Sequence, residues 1–166
     1  LSLGVAGLVI SGASVSWALG SWWESRVVSN RGARWVTRVG ASILAFGTIG
    51  VASGLVASIP VWPAYVGWAI GGLGMGITFP TIPLSVMGET TAGREAGELS
   101  SMILMDFLGI GVGAGLGGVS VALADAGHLS LRAGVAGAFA MGLVAAVALV
   151  LLAGRIPDAR PIDSAA

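Results

Sequence analysis

Apolar positions run along this chain in long blocks, without the alternation of a strand or the one-sided stripe of a soluble helix. Leu1 to Trp23 carries no charge, and neither does Val39 to Gly88. Phe107 to Ala124 and Ala133 to Gly154 complete the set. A membrane-crossing helix needs about 20 mainly apolar residues. Val39 to Gly88 is long enough for two, and Pro60-Val61-Trp62-Pro63 divides it, because prolines three apart break a helix and favour a turn. Leu99 to Met105 extends the fourth block backwards and leaves Asp106 inside it. The pattern predicts an all-α polytopic bundle of five helices, about 1–21, 39–59, 64–87, 99–124 and 132–153, forming one transmembrane unit over 1–154. Residues 155–166, with Pro157, Pro161 and Ser164, read as a disordered cytoplasmic tail. A membrane β-barrel would show alternating segments of about ten residues, and there are none.

Composition agrees. Hydrophobic residues make up 55% of the 166, charged residues 10%, and the mean hydropathy is +0.94. A soluble domain carries about a quarter charged residues, so five such helices leave too little polar surface to cover a globule. The absence of cysteine excludes disulfides, thiolate metal sites and a cysteine nucleophile. With one histidine, no metal site and no cofactor are expected, and no enzyme. The glycines around Gly72 and Gly111 lack the spacing of a phosphate or dinucleotide loop. A net charge of zero gives no basic surface for nucleic acid.

The eight cations are all arginine, and their places carry the topology. Arg26, Arg31, Arg34 and Arg38 crowd the first connection, Arg94 lies in the third, and Arg155 and Arg160 follow the last helix. If all five helices span, these seven share one side and only Arg132 lies on the other. Such a bias marks the cytoplasmic side. It puts the C-terminus in the cytoplasm and Leu1 outside, in a multi-pass protein of the cell membrane. Trp17, Trp22, Trp23 and Trp35 then lie near the inner interface, and Trp62, Tyr65 and Trp68 near the outer one. An outside start with no basic flank and no initiator methionine is expected of the C-terminal part of a longer chain.

Small residues mark where helices approach closely in lipid. Gly4, Gly7, Ser11, Ser14, Ala18 and Ser21 recur at three–four spacing in the first helix. The third carries two such faces: Gly67, Gly71, Gly74, Thr78, Thr81 and Ser85 on one, Gly72, Gly76, Pro80 and Pro83 on the other. Gly109, Gly113 and Gly117 step along the fourth, and Gly134, Ala138, Gly142 and Ala146 along the fifth. Pro80 removes the donor to the Gly76 carbonyl and Pro83 the donor to Phe79, making this stretch a candidate hinge or pathway lining. Thr78 and Thr81 are expected to satisfy some of the freed carbonyls.

Asp106 is the one acid inside a span. It lies eight residues after Glu98, so about 12 Å along the helix. A lipid-facing carboxylate is unfavourable by a few kcal/mol on insertion scales. Asp106 is therefore expected to face the bundle interior or water, where it suits proton exchange or attraction of a cationic substrate. Ser11, Ser14, Thr78 and Thr81 are candidate neighbours on a substrate pathway. In the basic connection, Glu24, Arg26, Arg31 and Arg34 are candidates for a cytoplasmic latch, arginine bridging to acids such as Glu24, Glu89 or Glu98.

The chain resembles the C-terminal half of a major facilitator superfamily transporter of the multidrug proton-antiporter type found in actinobacteria. Three stretches carry the resemblance. Gly20-Ser-Trp-Trp-Glu24-Ser-Arg26 with Arg31-Gly-Ala-Arg34 is similar to the family's G-x-x-x-[D/E]-R-x-G-R-R loop, stretched by several residues. Gly71 to Pro80 is similar to the family's tenth helix, and Ser100-Ser101 with Asp106-Phe-Leu-Gly109 and the glycines to Gly118 to its eleventh. The resemblance implies that the five helices correspond to helices eight to twelve. It implies rocker-switch transport around a midplane site, with the proton gradient as energy source and the N-terminal half of the chain missing. Proton-coupled efflux of drugs or other small amphipathic molecules is the function it implies, Asp106 being the coupling or cation-attracting residue. The alternatives are a permease for sugars or other metabolites and a non-transporting module that assembles through its glycine faces.

Overall fold

The computed structural model describes residues 3–156. Leu1, Ser2 and the tail from Pro157 on, with Arg160, lie outside the described residues. Among those described, 87% are helical and none is in a strand. The helices are α1 (Leu3–Arg31), α2 (Ala33–Ser53), α3 (Trp62–Glu89), α4 (Glu95–Asp125) and α5 (Leu131–Leu152), followed by a 3-10 turn at Ala153–Arg155. Each of the five is long and apolar enough to cross a membrane.

The first connection departs from expectation. Glu24 to Arg38 is helical throughout, interrupted at Gly32 alone. Charge marks where a helix leaves the hydrocarbon, not where it ends, and Arg and Glu are good helix formers. At 29 residues, α1 is about 43 Å long, well beyond the roughly 30 Å of a bilayer core. Gly32 makes the break, with φ 79° and ψ 153°, a conformation essentially confined to glycine. Its N–H donates to Val28 at 2.9 Å and its carbonyl accepts from Val36 at 3.2 Å, so the reversal loses little hydrogen bonding. α2 accordingly starts six residues before the apolar block at 39 and stops at Ser53, short of the expected 59. The chain then turns through 54–61.

α3 is the centre of the bundle, and its two small-residue faces receive different neighbours. Gly67, Gly71 and Gly74 lie against α2, running antiparallel past Gly50, Gly47 and Leu44. Gly72 and Gly76 lie against α1, running parallel past Ala13 and Trp17. A Cβ on Gly67 would sit 2.6 Å from the carbonyl carbon of Gly50, and one on Gly72 2.5 Å from the Ala13 oxygen. These are backbone-to-backbone approaches that no side chain can enter. Trp17 fits the α1 seam because α3 presents glycine to it, and its ring also meets Phe79 at 5.7 Å.

α3 stays helical through Pro80 and Pro83. The Gly76 carbonyl that Pro80 leaves without an N–H accepts instead from the Ser21 hydroxyl of α1 at 3.0 Å. Thr78 and Thr81 bond to Gly74 and Ile77, which have no proline four residues on. The expected role of the two threonines thus belongs to a serine on another helix. Ser21→Ala should destabilise the bundle by about 1–3 kcal/mol, the penalty for an unpaired buried acceptor. With Pro80→Ala also present, the restored backbone donor should remove most of that loss. An unfolding titration of the two single variants and the double variant measures the coupling, and simple additivity would refute the pairing.

α5 packs on α2, and α4 packs on α5, with a lighter contact to α3. Gly134 meets Ser120 and Ala138 meets Gly117, again antiparallel. Arg34 donates from Nε and Nη2 to the Ile156 carbonyl at 3.4 and 3.2 Å, and the Arg38 guanidinium lies against Gly154. Two cations thus cover the carbonyl end of the last helix, where its dipole is negative. Successive helices alternate in direction. Arg26, Arg31, Arg34, Arg38, Arg94 and Arg155 therefore gather at one end, with Arg132 at the other.

Candidate functional site

α4 has no buried residue. A Cβ on Gly109, Gly111, Gly113 or Gly115 would meet nothing within 4 Å, and one on Gly117 only the Ala138 methyl, at 3.8 Å. The glycine ladder of α4 is uncovered along most of its length. The first turns of α1 are similar, Gly4 and Gly7 facing open space.

Between α4 and α3 runs an open cleft of about 600 Å³. Thr78, Phe79 and Pro83 of α3 line one wall, and Met102, Met105 and Asp106 of α4 the other. Two residues expected on one pathway, Thr78 and Asp106, therefore share a cavity. The Thr78 hydroxyl is engaged with the Gly74 carbonyl at 2.9 Å and is nearly buried. Asp106 is exposed and has no hydrogen-bond or ion-pair partner among the described residues. Among the described residues its carboxyl is the only acid lining the cleft. The rest of the wall is mostly aliphatic, aromatic and thioether surface, which suits apolar groups of varied shape.

A second cleft, of about 420 Å³, lies between α1, α2, α3 and α5. Trp17, Trp68 and Phe139 give it an aromatic lining, and Leu44 and Met75 border both clefts. Ser14 lines it but donates to its own helix at the Ile10 carbonyl. Ser11 is exposed and lines neither cleft. Of the pathway residues expected on α1, Ser14 thus lines the neighbouring cleft and Ser11 lines neither, so the two are not brought together with Asp106.

The basic connection places its members apart. Glu24 turns into the bundle, 2% exposed. Its partner is the Thr81 hydroxyl at 3.0 Å rather than an arginine. The Ile77 carbonyl lies 2.8 Å from the same Thr81 hydroxyl and competes for its one proton, and Ser85, one turn on, donates to the Thr81 carbonyl at 2.7 Å. Thr37 of α2 is fully buried at the same level, set by Gly40 lying against Thr78, and its hydroxyl has no partner among the described residues. Glu24, Thr37, Thr81 and Ser85 form a polar plug where α1, α2 and α3 converge. Arg26 stacks over Trp22, its guanidinium carbon 3.9 Å from the ring centre, and Arg31 over Trp35 at 5.1 Å. Arg94 pairs within its own helix turn with Glu98 at 3.3 Å. The Glu24–Thr81 contact has no mark in the sequence: its partners are 57 residues apart, and neither the acid nor the hydroxyl has a charge complement pointing to the other.

No group of three or more potential metal-ligating side chains occurs among the described residues. Comparison with known protein families, characterised proteins and solved structures finds no match for this chain.

Proposed function

We propose that this chain is part of a secondary active transporter of the major facilitator type. Its setting is the cell membrane, with the arginine-rich end and the C-terminus in the cytoplasm and residue 1 outside. Its proposed work is proton-coupled efflux of small amphipathic molecules. The observation that carries this reading is Asp106, a carboxyl without a partner among the described residues, about 12 Å inside the span on the wall of a mostly apolar cleft. Facing lipid, such a group would be unfavourable by about 3 kcal/mol. Water, a proton or a cationic substrate in a protein-lined cavity removes that penalty. The uncovered glycine ladder of α4 supports the same reading, because further helices seated there would close the cleft into a pathway.

The test is reconstitution of the whole protein, with any chain preceding Leu1 retained, in vesicles carrying a proton gradient. Ethidium, a lipophilic planar cation, serves as probe. Asp106→Asn should reduce probe-driven proton movement at least tenfold while leaving the protein folded. Undiminished coupling would remove Asp106 from the mechanism. The bare face of α4 also favours a second reading, a module that only assembles with other helices. On that reading Gly113→Leu alters assembly, and the native protein moves neither probe nor protons.

A further inference from the structure

The two clefts beside α3 meet end to end. Of the α3 residues lining the Asp106 cleft, Met75 is the farthest from the arginine-rich end, and of its α4 residues Asp106 is. In the aromatic cleft the order is reversed: Met75 of α3 and Trp17 of α1 are the lining residues of their helices nearest that end. Leu44 and Met75 belong to both linings. The Trp17 ring, from one cleft, meets the Phe79 ring, from the other, at 5.7 Å. The clefts are therefore stacked along one face of α3, and Asp106 stands at the junction end of its wall. Beyond the junction the floor is low. Gly71 and Gly72 lie between Met75 and Trp68. A Cβ on Gly71 would meet nothing nearer than a Leu44 methyl at 4.0 Å, so its smallness leaves space in the cleft and is not required by packing.

We propose that the two clefts form one binding site for an elongated monocation. Its charged centre lies at Asp106, its aromatic group lies against Trp68, and Gly71 keeps the way between them open. The inference rests on the transporter reading of Asp106 and specifies the shape of its ligand. Charge sets the cationic end. Among the described residues Asp106 is the only ionisable group lining either cleft. One carboxyl balances one positive charge, and a second charge would enter an aromatic cleft that has no acid. The lining sets the other end. Trp17 and Trp68 are exposed and Phe139 is part-exposed, so their rings are free to receive an aromatic group. Trp68 and Met75 are seven residues apart, so the aromatic group lies about 10 Å beyond the junction. Met75 does not bar the passage, because its unbranched side chain can turn aside without moving the backbone. A compact cation would fill only the Asp106 end.

The test is equilibrium binding of two probes to the whole protein in lipid nanodiscs, with partition into empty discs subtracted. Benzyltrimethylammonium carries its ring beside the charge. Its analogue (6-phenylhexyl)trimethylammonium carries the same ring on a spacer that reaches Trp68. The long probe should bind about tenfold tighter or more, through the added contact of spacer and ring. Gly71→Leu places a side chain in the open floor, and Trp68→Ala removes the far wall. Each should bring the ratio of the two affinities down to about threefold or less. Both variants are expected to fold, since the Gly71 position has room for a side chain and Trp68 is 46% exposed. Asp106→Asn should weaken both probes about tenfold. Equal affinities in the native protein, or a ratio that survives either substitution, overturns the joined site while leaving Asp106 in its role. Binding that ignores Asp106→Asn overturns that role, and the joined site with it.

Discussion

Gly76→Ala is expected to unseat α1 from α3 and to destabilise the bundle by about 3 kcal/mol or more. Overpacking against movable side chains typically costs about 1–3 kcal/mol. Here the added methyl would strike the Trp17 carbonyl oxygen and lie 2.9 Å from the Trp17 Cα. Backbone cannot rotate aside as a side chain does, so the two helices must separate. Separation also breaks the Ser21 bond to the Gly76 carbonyl and loosens the Trp17–Phe79 ring contact. The gain in helix propensity from Gly to Ala, about 1 kcal/mol, is too small to compensate. Gly113→Ala is the internal control. It occupies the same kind of position on α4, but the new methyl meets nothing, so stability should change by less than about 1 kcal/mol, in the stabilising direction. Unfolding curves for the two variants in one detergent make the comparison. Similar losses for both would mean that the α1–α3 seam is looser than its geometry.

The contrast between those glycines also locates what sequence reading could reach. The two faces of α3 were legible because small residues at three–four spacing leave one explanation in lipid, close backbone approach, and both faces meet helices. The same spacing misled on α1. Gly4 and Gly7 face nothing, and although Ser21 of the expected row does reach α3, the rest of the contact is made by Ala13, Trp17, Gly20 and Glu24, which include the largest residue in the code. Its fit depends on the glycines opposite, and pairing between helices is not written along either one. The number of helices and their alternation followed from the charge-free runs. Their ends at Gly32 did not, because charges were read as a loop where only a glycine at positive φ breaks the helix. Asp106 was recognisable from its depth alone. Its shared cleft with Thr78 needed the fold, as did the exchange of the freed Gly76 carbonyl to Ser21.

Glu24 allows the sharpest reading of the buried plug, because its three replacements should fall in a definite order. The Thr81 hydroxyl has one proton and two oxygens within 3.0 Å, the Ile77 carbonyl and Glu24 Oε1. Both contacts cannot be full donations from Thr81. Glu24→Gln supplies an amide N–H to the Thr81 oxygen, which frees the threonine proton for Ile77. The glutamine variant should therefore be at least as stable as the native protein, having removed a buried carboxyl without removing its hydrogen bond. Thr81→Val keeps the volume but leaves Glu24 with no partner in a site that is 2% exposed. That should destabilise by about 1–3 kcal/mol, more where the carboxyl is charged. Glu24→Ala empties the plug and leaves Thr37 and Thr81 beside a cavity, with a loss of about 2–4 kcal/mol by analogy with large-to-small core changes. Combining Thr81→Val with Glu24→Gln should cost more than Glu24→Gln alone, since the amide then lacks its acceptor. Thermal unfolding of the set at one pH orders them. A glutamine variant as unstable as the alanine variant would mean that Glu24 acts through its charge, and the arginine latch at this end of the bundle would then be the better account.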